Sequence, residues 1–297
     1  MGFCEGMPPV YEAELGWAFG CSCRGASHVR AGKPCQDAYA VWSGATAAAP
    51  SLIAAVADGH GDRQHDLSEI GAALATRVAV QELLQQVPGA ALYDSLESVE
   101  RAFSESFPTQ VTRRWVEAVQ EDAGSRLGAV DVSGEEAILR RYGTTLLTAR
   151  VSPRLLMLGK IGDGDVLMVR PDGRIESPLG GESDLVGLST HSLSSRQAVL
   201  RWKTGVVPRG MGGILLLATD GLSDSFGGSE HTEFQRFLGS VQDRIQEFGI
   251  GEVARFIPQW LTMYSERGSG DDITLVLIAV TPSKEEEEDD SRDRSED

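Results

Sequence analysis

Leu52-Ile53-Ala54-Ala55-Val56-Ala57-Asp58-Gly59-His60-Gly61-Asp62 is the stretch from which the rest of the chain can be read. Six apolar residues without a break suit a buried strand, and the Asp-Gly pair that follows ends it in a tight turn. The arrangement recurs. Asp163 follows the run 155–160 within Ile161-Gly162-Asp163-Gly164-Asp165, and Asp220 ends Ile214-Leu215-Leu216-Leu217-Ala218-Thr219. Asp271-Asp272 directly precedes the run 273–280, and Asp37 lies in Pro34-Cys35-Gln36-Asp37-Ala38. Carboxylates gathered at strand ends repel one another unless cations lie between them. The pattern predicts a shared site for a hard divalent ion, Mg2+ or Mn2+, because zinc more often recruits His or Cys. Glycines beside these aspartates permit tight turns and expose backbone carbonyls to a cation.

The chain has 297 residues, 41% of them hydrophobic, enough for one substantial core and too many for global disorder. No apolar run approaches the roughly 18 residues needed to span a bilayer. Residues 1–14 lack a basic region followed by a hydrophobic stretch, so a cytoplasmic protein with no membrane association is expected. A formal charge of −17 argues against a nucleic-acid partner, since a phosphate backbone demands a basic surface. Part of that charge is local: residues 285–290 form an unbroken acidic block, read as part of a disordered, solubilising tail over 284–297. The four cysteines all fall in the first 35 residues and match no zinc signature, so reduced thiols are expected.

Alternation and apolar runs predict strands over 15–23, 38–43, 52–57, 144–151, 154–161, 166–170, 213–219 and 273–281. Helical spacing covers 67–86, a segment from Ser95 past Pro108 to 119, then 233–248 and 251–267. Strands come in clusters with helices inserted between them, which favours an α+β fold with antiparallel sheets covered by helices over a regular βαβ alternation. Residues 180–208 are polar, rich in Ser and without periodicity, and read as a flap insert over a site. The expected organisation is an N-terminal extension 1–13, one domain over 14–283 and the tail.

Each Asp-Gly motif alone is weak, but their order is specific. Asp58-Gly59-His60-Gly61, Tyr142-Gly143-Thr144-Thr145, Ile161-Gly162-Asp163-Gly164-Asp165, Ala218-Thr219-Asp220-Gly221 and Gly270-Asp271-Asp272-Ile273-Thr274 follow one another along the chain. Together they resemble the metal-dependent serine/threonine protein phosphatases of the type 2C (PPM) family, over about residues 14 to 281. The segment from Gly25-Ala26-Ser27-His28 to Gly32-Lys33-Pro34-Cys35-Gln36-Asp37-Ala38 looks like the bacterial branch of that family.

The resemblance implies a four-layer sandwich of two antiparallel β-sheets flanked by α-helices on both outer faces, with the metals at one end. It also implies hydrolysis of phosphoserine and phosphothreonine monoesters by in-line attack of a water bridging two Mg2+ or Mn2+ ions, with a third, weaker ion. Carried over by motif, Asp58 bridges two metals, Gly59 lends its carbonyl, and Asp220 and Asp271 complete one metal. Asp163 matches the aspartate of the third ion, and Asp37 an outer residue that holds metal-bound water. His60 stands where some members carry a general acid for the leaving alkoxide, or else serves as a hydrogen-bond donor beside the site. Gln36 replaces a glutamate ligand with a weaker amide oxygen, and Asp272 replaces an asparagine. The phosphate-binding arginine is Gly32 here, leaving Arg30, Lys33 or His28 as substitutes. The implied partners are a phosphorylated protein substrate and an opposing Ser/Thr kinase. Gln36 and Gly32 keep open a pseudophosphatase acting as a binding or regulatory module, and a hydrolase of small phosphate esters is a further alternative.

Overall fold

The run 52–57 is unbroken because both of its faces are covered. In the structure, a computed structural model, residues 8–45, 49–86, 95–127, 134–180, 191–210, 212–227 and 232–282 are described. One sheet has six strands in the order β1 (Val10–Ala13), β2 (Gly16–Cys23), β11 (Ile273–Val280), β10 (Gly213–Ala218), β7 (Asp165–Val169) and β8 (Ile175–Glu176). The other has five, in the order β3 (Ala38–Ala45), β4 (Pro50–Ala57), β5 (Leu146–Val151), β6 (Leu155–Ile161) and β9 (Lys203–Pro208). Neighbouring strands are antiparallel throughout.

The period of two along a strand sorts the apolar side chains into separate cores. From β4, Leu52, Ala54 and Val56 meet Leu215, Leu217, Val276 and Ile278 between the sheets. Ile53, Ala55 and Ala57 instead pack under α2 (Ser68–Gln85) and α3 (Leu96–Leu127). On the far side, Leu216 and Ala218 of β10 pack under α6 (Thr232–Phe248) and α7 (Ile250–Arg267). The result is the four-layer α+β sandwich that the motif order implied. Helix α3 holds on through one stripe, Val99, Phe103, Phe107, Val111, Trp115, Val119 and Ala123, a spacing of four that keeps a single face on the core. Pro108 lies inside that helix without ending it.

Two expected boundaries shift. Residues 10–13, assigned to an extension, pair with β2 as an edge strand. Residues 203–208, assigned to the insert, form β9 and pair with β6. The first has only four residues and the second carries its two valines side by side, so neither shows a readable period. The helices α1 (Ala26–Ala31) and α4 (Glu135–Arg141) were missed for a similar reason: they are short and carry no side-chain N-cap. Residues 181–190 of the expected insert and the tail 284–297 lie outside the described residues.

Antiparallel register then decides where the aspartates go. Ala38 at the start of β3 pairs with Ala57 at the end of β4, and Leu146 at the start of β5 pairs with Ile161 at the end of β6. Ala218 at the end of β10 faces both Asp165 and Leu275. Asp37, Asp58, Asp163, Asp220 and Asp271 therefore all emerge at one end of the sandwich.

Candidate active site

Asp58 leaves β4 on a backbone held from both sides. Thr145 N donates to Asp58 O at 2.9 Å and Thr144 Oγ1 to the same oxygen at 2.8 Å, while Asp58 N donates to Thr145 Oγ1 at 3.0 Å. This is why Tyr142-Gly143-Thr144-Thr145 belongs with the aspartate motifs: its hydroxyls fix the turn that presents Asp58. Gly59 is required by close approach, since a Cβ there would lie 2.5 Å from Gln36 O. Asp220 opens the short helix α5 (Asp220–Ser223), and a Cβ on the following Gly221 would lie 2.1 Å from Asp272 O. Asp58, Asp163 and Asp220 each bring a carboxylate oxygen into one group, all within 4.8 Å of one another.

That proximity is costly without a cation. Burial, then the charges of Asp37 and Asp220, push the Asp58 carboxyl well above the usual carboxylate range. Burial and Asp163 raise Asp220 to about 6. Asp37 is pushed up by burial and the charge of Asp272, while hydrogen bonds from Thr219 and Thr274 oppose the shift. Thr219 Oγ1 donates to Asp37 Oδ2 at 2.9 Å. Gln36 adds one further oxygen: its Oε1 is buried without a hydrogen-bond partner among the described residues, while its Nε2 donates to Ser68 Oγ at 2.5 Å. Hard oxygen donors, mutual repulsion and an orphaned amide oxygen suit Mg2+ or Mn2+.

Asp271 is more exposed than the three clustered carboxylates, with 55% of its side chain accessible. Its charge still reaches Asp37, Asp58 and Asp220, raising all three. Its neighbour Asp272 is buried and has a role that the motif did not reveal. Asp272 accepts from Gly25 N and Gln36 N, each at 2.6 Å, and its Oδ2 lies 2.9 Å from His28 Nδ1. It ties the first segment of the chain to the start of β11.

The cations expected to bind phosphate fare unevenly. His28 is buried and its Nδ1 faces Asp272, which raises its pKa. Lys33 Nζ donates to Gly61 O at 2.6 Å. Arg30 lies on the exposed side of α1. His60 is held at about 4 by burial and by the neighbouring His65, whose ring centroid is 4.9 Å away. Both effects favour the neutral imidazole. Of the glycine carbonyls, that of Gly221 is taken by Ser225 and Ser269, and that of Gly164 by Lys160.

The fold is similar to those of several solved proteins. RsbX in complex with magnesium shares 16% identity over 93% of this chain and 100% of that chain, with a TM-score of 0.52. The catalytic domain of the serine/threonine phosphatase PstP with two manganese ions shares 20% identity over 89% and 97%, with a TM-score of 0.52. Stp1 of Staphylococcus aureus shares 15% over 93% and 99%, with a TM-score of 0.56. No curated protein sequence matches the chain. At these identities the neighbours speak for the fold. The sequence speaks for more, because the family model described as protein phosphatase 2C matches residues 24–262. The chain belongs to the protein phosphatase 2C family.

Proposed function

We propose that this chain hydrolyses phosphoserine and phosphothreonine esters of proteins with two Mg2+ or Mn2+ ions at the Asp58 end of the sandwich and a third at Asp163. As a protein phosphatase 2C it is a metal-dependent phosphomonoester hydrolase. The assignment of ions and residues is our reading, and the convergence of Asp58, Asp163 and Asp220 carries it. Asp58, the Gly59 carbonyl, Asp220, Asp271 and the Gln36 amide oxygen would hold the two ions. Bound there, the ions supply charge neutralisation for the ester oxygens and lower the pKa of a nucleophilic water.

The chain's own residues do the rest. Thr144 and Thr145 fix the direction of Asp58, and Thr219 fixes Asp37. Asp37, held by the Thr219 hydroxyl beside the cluster, is the carboxylate we assign to accept a proton from the attacking water. His60, whose burial and neighbour His65 favour the neutral ring, is not assigned the acid role. Of the expected phosphate cations, Arg30 is the one we retain, since Lys33 and His28 are engaged elsewhere. A Ser/Thr kinase that installs the phosphate is the implied partner, and the cytoplasm is the compartment we propose. Among the described residues no helix is long and apolar enough to cross a membrane.

The test is turnover of p-nitrophenyl phosphate and a phosphothreonine peptide with Mn2+, Mg2+ or EDTA, on the native chain and Asp220→Asn. The expected result is metal-dependent turnover, with the variant at least about a hundredfold slower. No turnover under any metal condition would sink the reading.

A further inference from the structure

Beside the aspartate ends the surface opens into a cavity of about 330 Å3 with His60 at its inner edge. Arg140 and Glu136 of α4 line it together with Ser192, Ser194 and Arg196. Two guanidinium groups facing one cavity stand out in a chain of charge −17. Arg140 is half-exposed and loosely held: Nη1 donates to Gln64 Oε1 at 3.4 Å and Nη2 lies 3.8 Å from Glu136. Such contacts yield readily to a better acceptor. Arg196 is exposed and makes no hydrogen bond or ion pair among the described residues. A single surface pair with Glu136 would account for Arg140 alone, not for both.

Ser192 is also fixed relative to the reaction centre. Ser192 Oγ accepts from Thr144 N at 3.1 Å and donates to Thr144 O at 3.1 Å, and Thr144 in turn holds Asp58. The cavity and the aspartate cluster therefore share one frame, and His60, two residues after Asp58, lines the cavity itself. Guanidinium forks match carboxylates and phosphates. We infer that the cavity between Arg140 and Arg196 is a specificity subsite for an anionic side chain, carboxylate or second phosphate, flanking the phosphoresidue. This rests on the phosphatase reading above.

The experiment compares kcat/KM on phosphothreonine peptides flanked by Ala, by Asp or by a second phosphoserine, for the native chain and Arg140→Gln/Arg196→Gln. The native chain is expected to prefer an anionic flank by about tenfold, mainly through KM, and the double variant to bring that ratio close to one. The Asp and phosphoserine arms separate the two sources of charge. A native chain indifferent to the flank, or a variant that keeps the preference, overturns the subsite. If the native chain fails even on p-nitrophenyl phosphate, it is the phosphatase reading that fails. The subsite is then judged by fluorescence anisotropy of the labelled Asp-flanked phosphopeptide, where equal affinity for both proteins overturns it and roughly tenfold weaker binding to the variant supports it.

Discussion

Asp272 and His60 are the residues where the motif and the structure part. The motif reads Asp272 as an asparagine substitute, yet the carboxylate gathers two backbone amides and a histidine in a buried setting. Asp272→Ala leaves those donors without an acceptor and is expected to cost about 3 kcal/mol in urea unfolding. It is also expected to weaken Mn2+ binding measured by calorimetry, because Gln36 and Asp37 lose their anchor. His60 was open between an acid and a bystander. Burial and His65 leave it neutral, so His60→Gln is expected to slow an aryl phosphate and a phosphothreonine peptide by similar factors. A loss confined to the peptide, with its poorer leaving group, would restore the acid role. Neither role is legible in sequence, since both depend on which groups crowd the side chain.

At the scale of elements, long buried runs were readable and short edges were not. Strands β4, β10 and β11 announce themselves because each is covered on both faces, while β1 and β9 are edges with little to bury. Arg150 of β5 shows the same limit from another direction. It is fully buried, burial pushes its guanidinium down to about 10, and it donates to Leu83 O at 2.6 Å, to Gln86 O and to Ser51 Oγ. It thereby satisfies carbonyls at the C-terminus of α2, which no intrahelical donor can reach. Arg150→Met is expected to lower stability by about 2–4 kcal/mol, seen as a lower urea midpoint, with turnover per folded molecule retained.

For the whole molecule, the cluster sets stability against function. Asp220 titrates at about 6, above the 3.8 of a free carboxyl, so between those values the folded state binds more protons than the unfolded one. The contribution of Asp220 to metal-free stability therefore falls as pH rises from about 4 to 6 and stays lost above, and the raised Asp58 and Asp37 act in the same direction. In EDTA at pH 7, Asp220→Asn is expected to be more stable than the native chain by on the order of 2 kcal/mol, with a flatter pH dependence of Tm. Mn2+ is expected to raise the native Tm and to move the variant less. A native Tm indifferent to both pH and Mn2+ would count against a shared site. The sequence by itself determined that antiparallel sheets are covered by helices and which aspartates and glycines end the strands, because apolar periodicity and turn chemistry are local properties, while the layered sandwich came from the family resemblance of its motifs. Only the tertiary structure decided that Asp58, Asp163 and Asp220 meet, that His28 belongs to Asp272, and that Arg140 and Arg196 share a cavity. Those facts follow from antiparallel register and loop packing, which join residues that lie far apart along the chain.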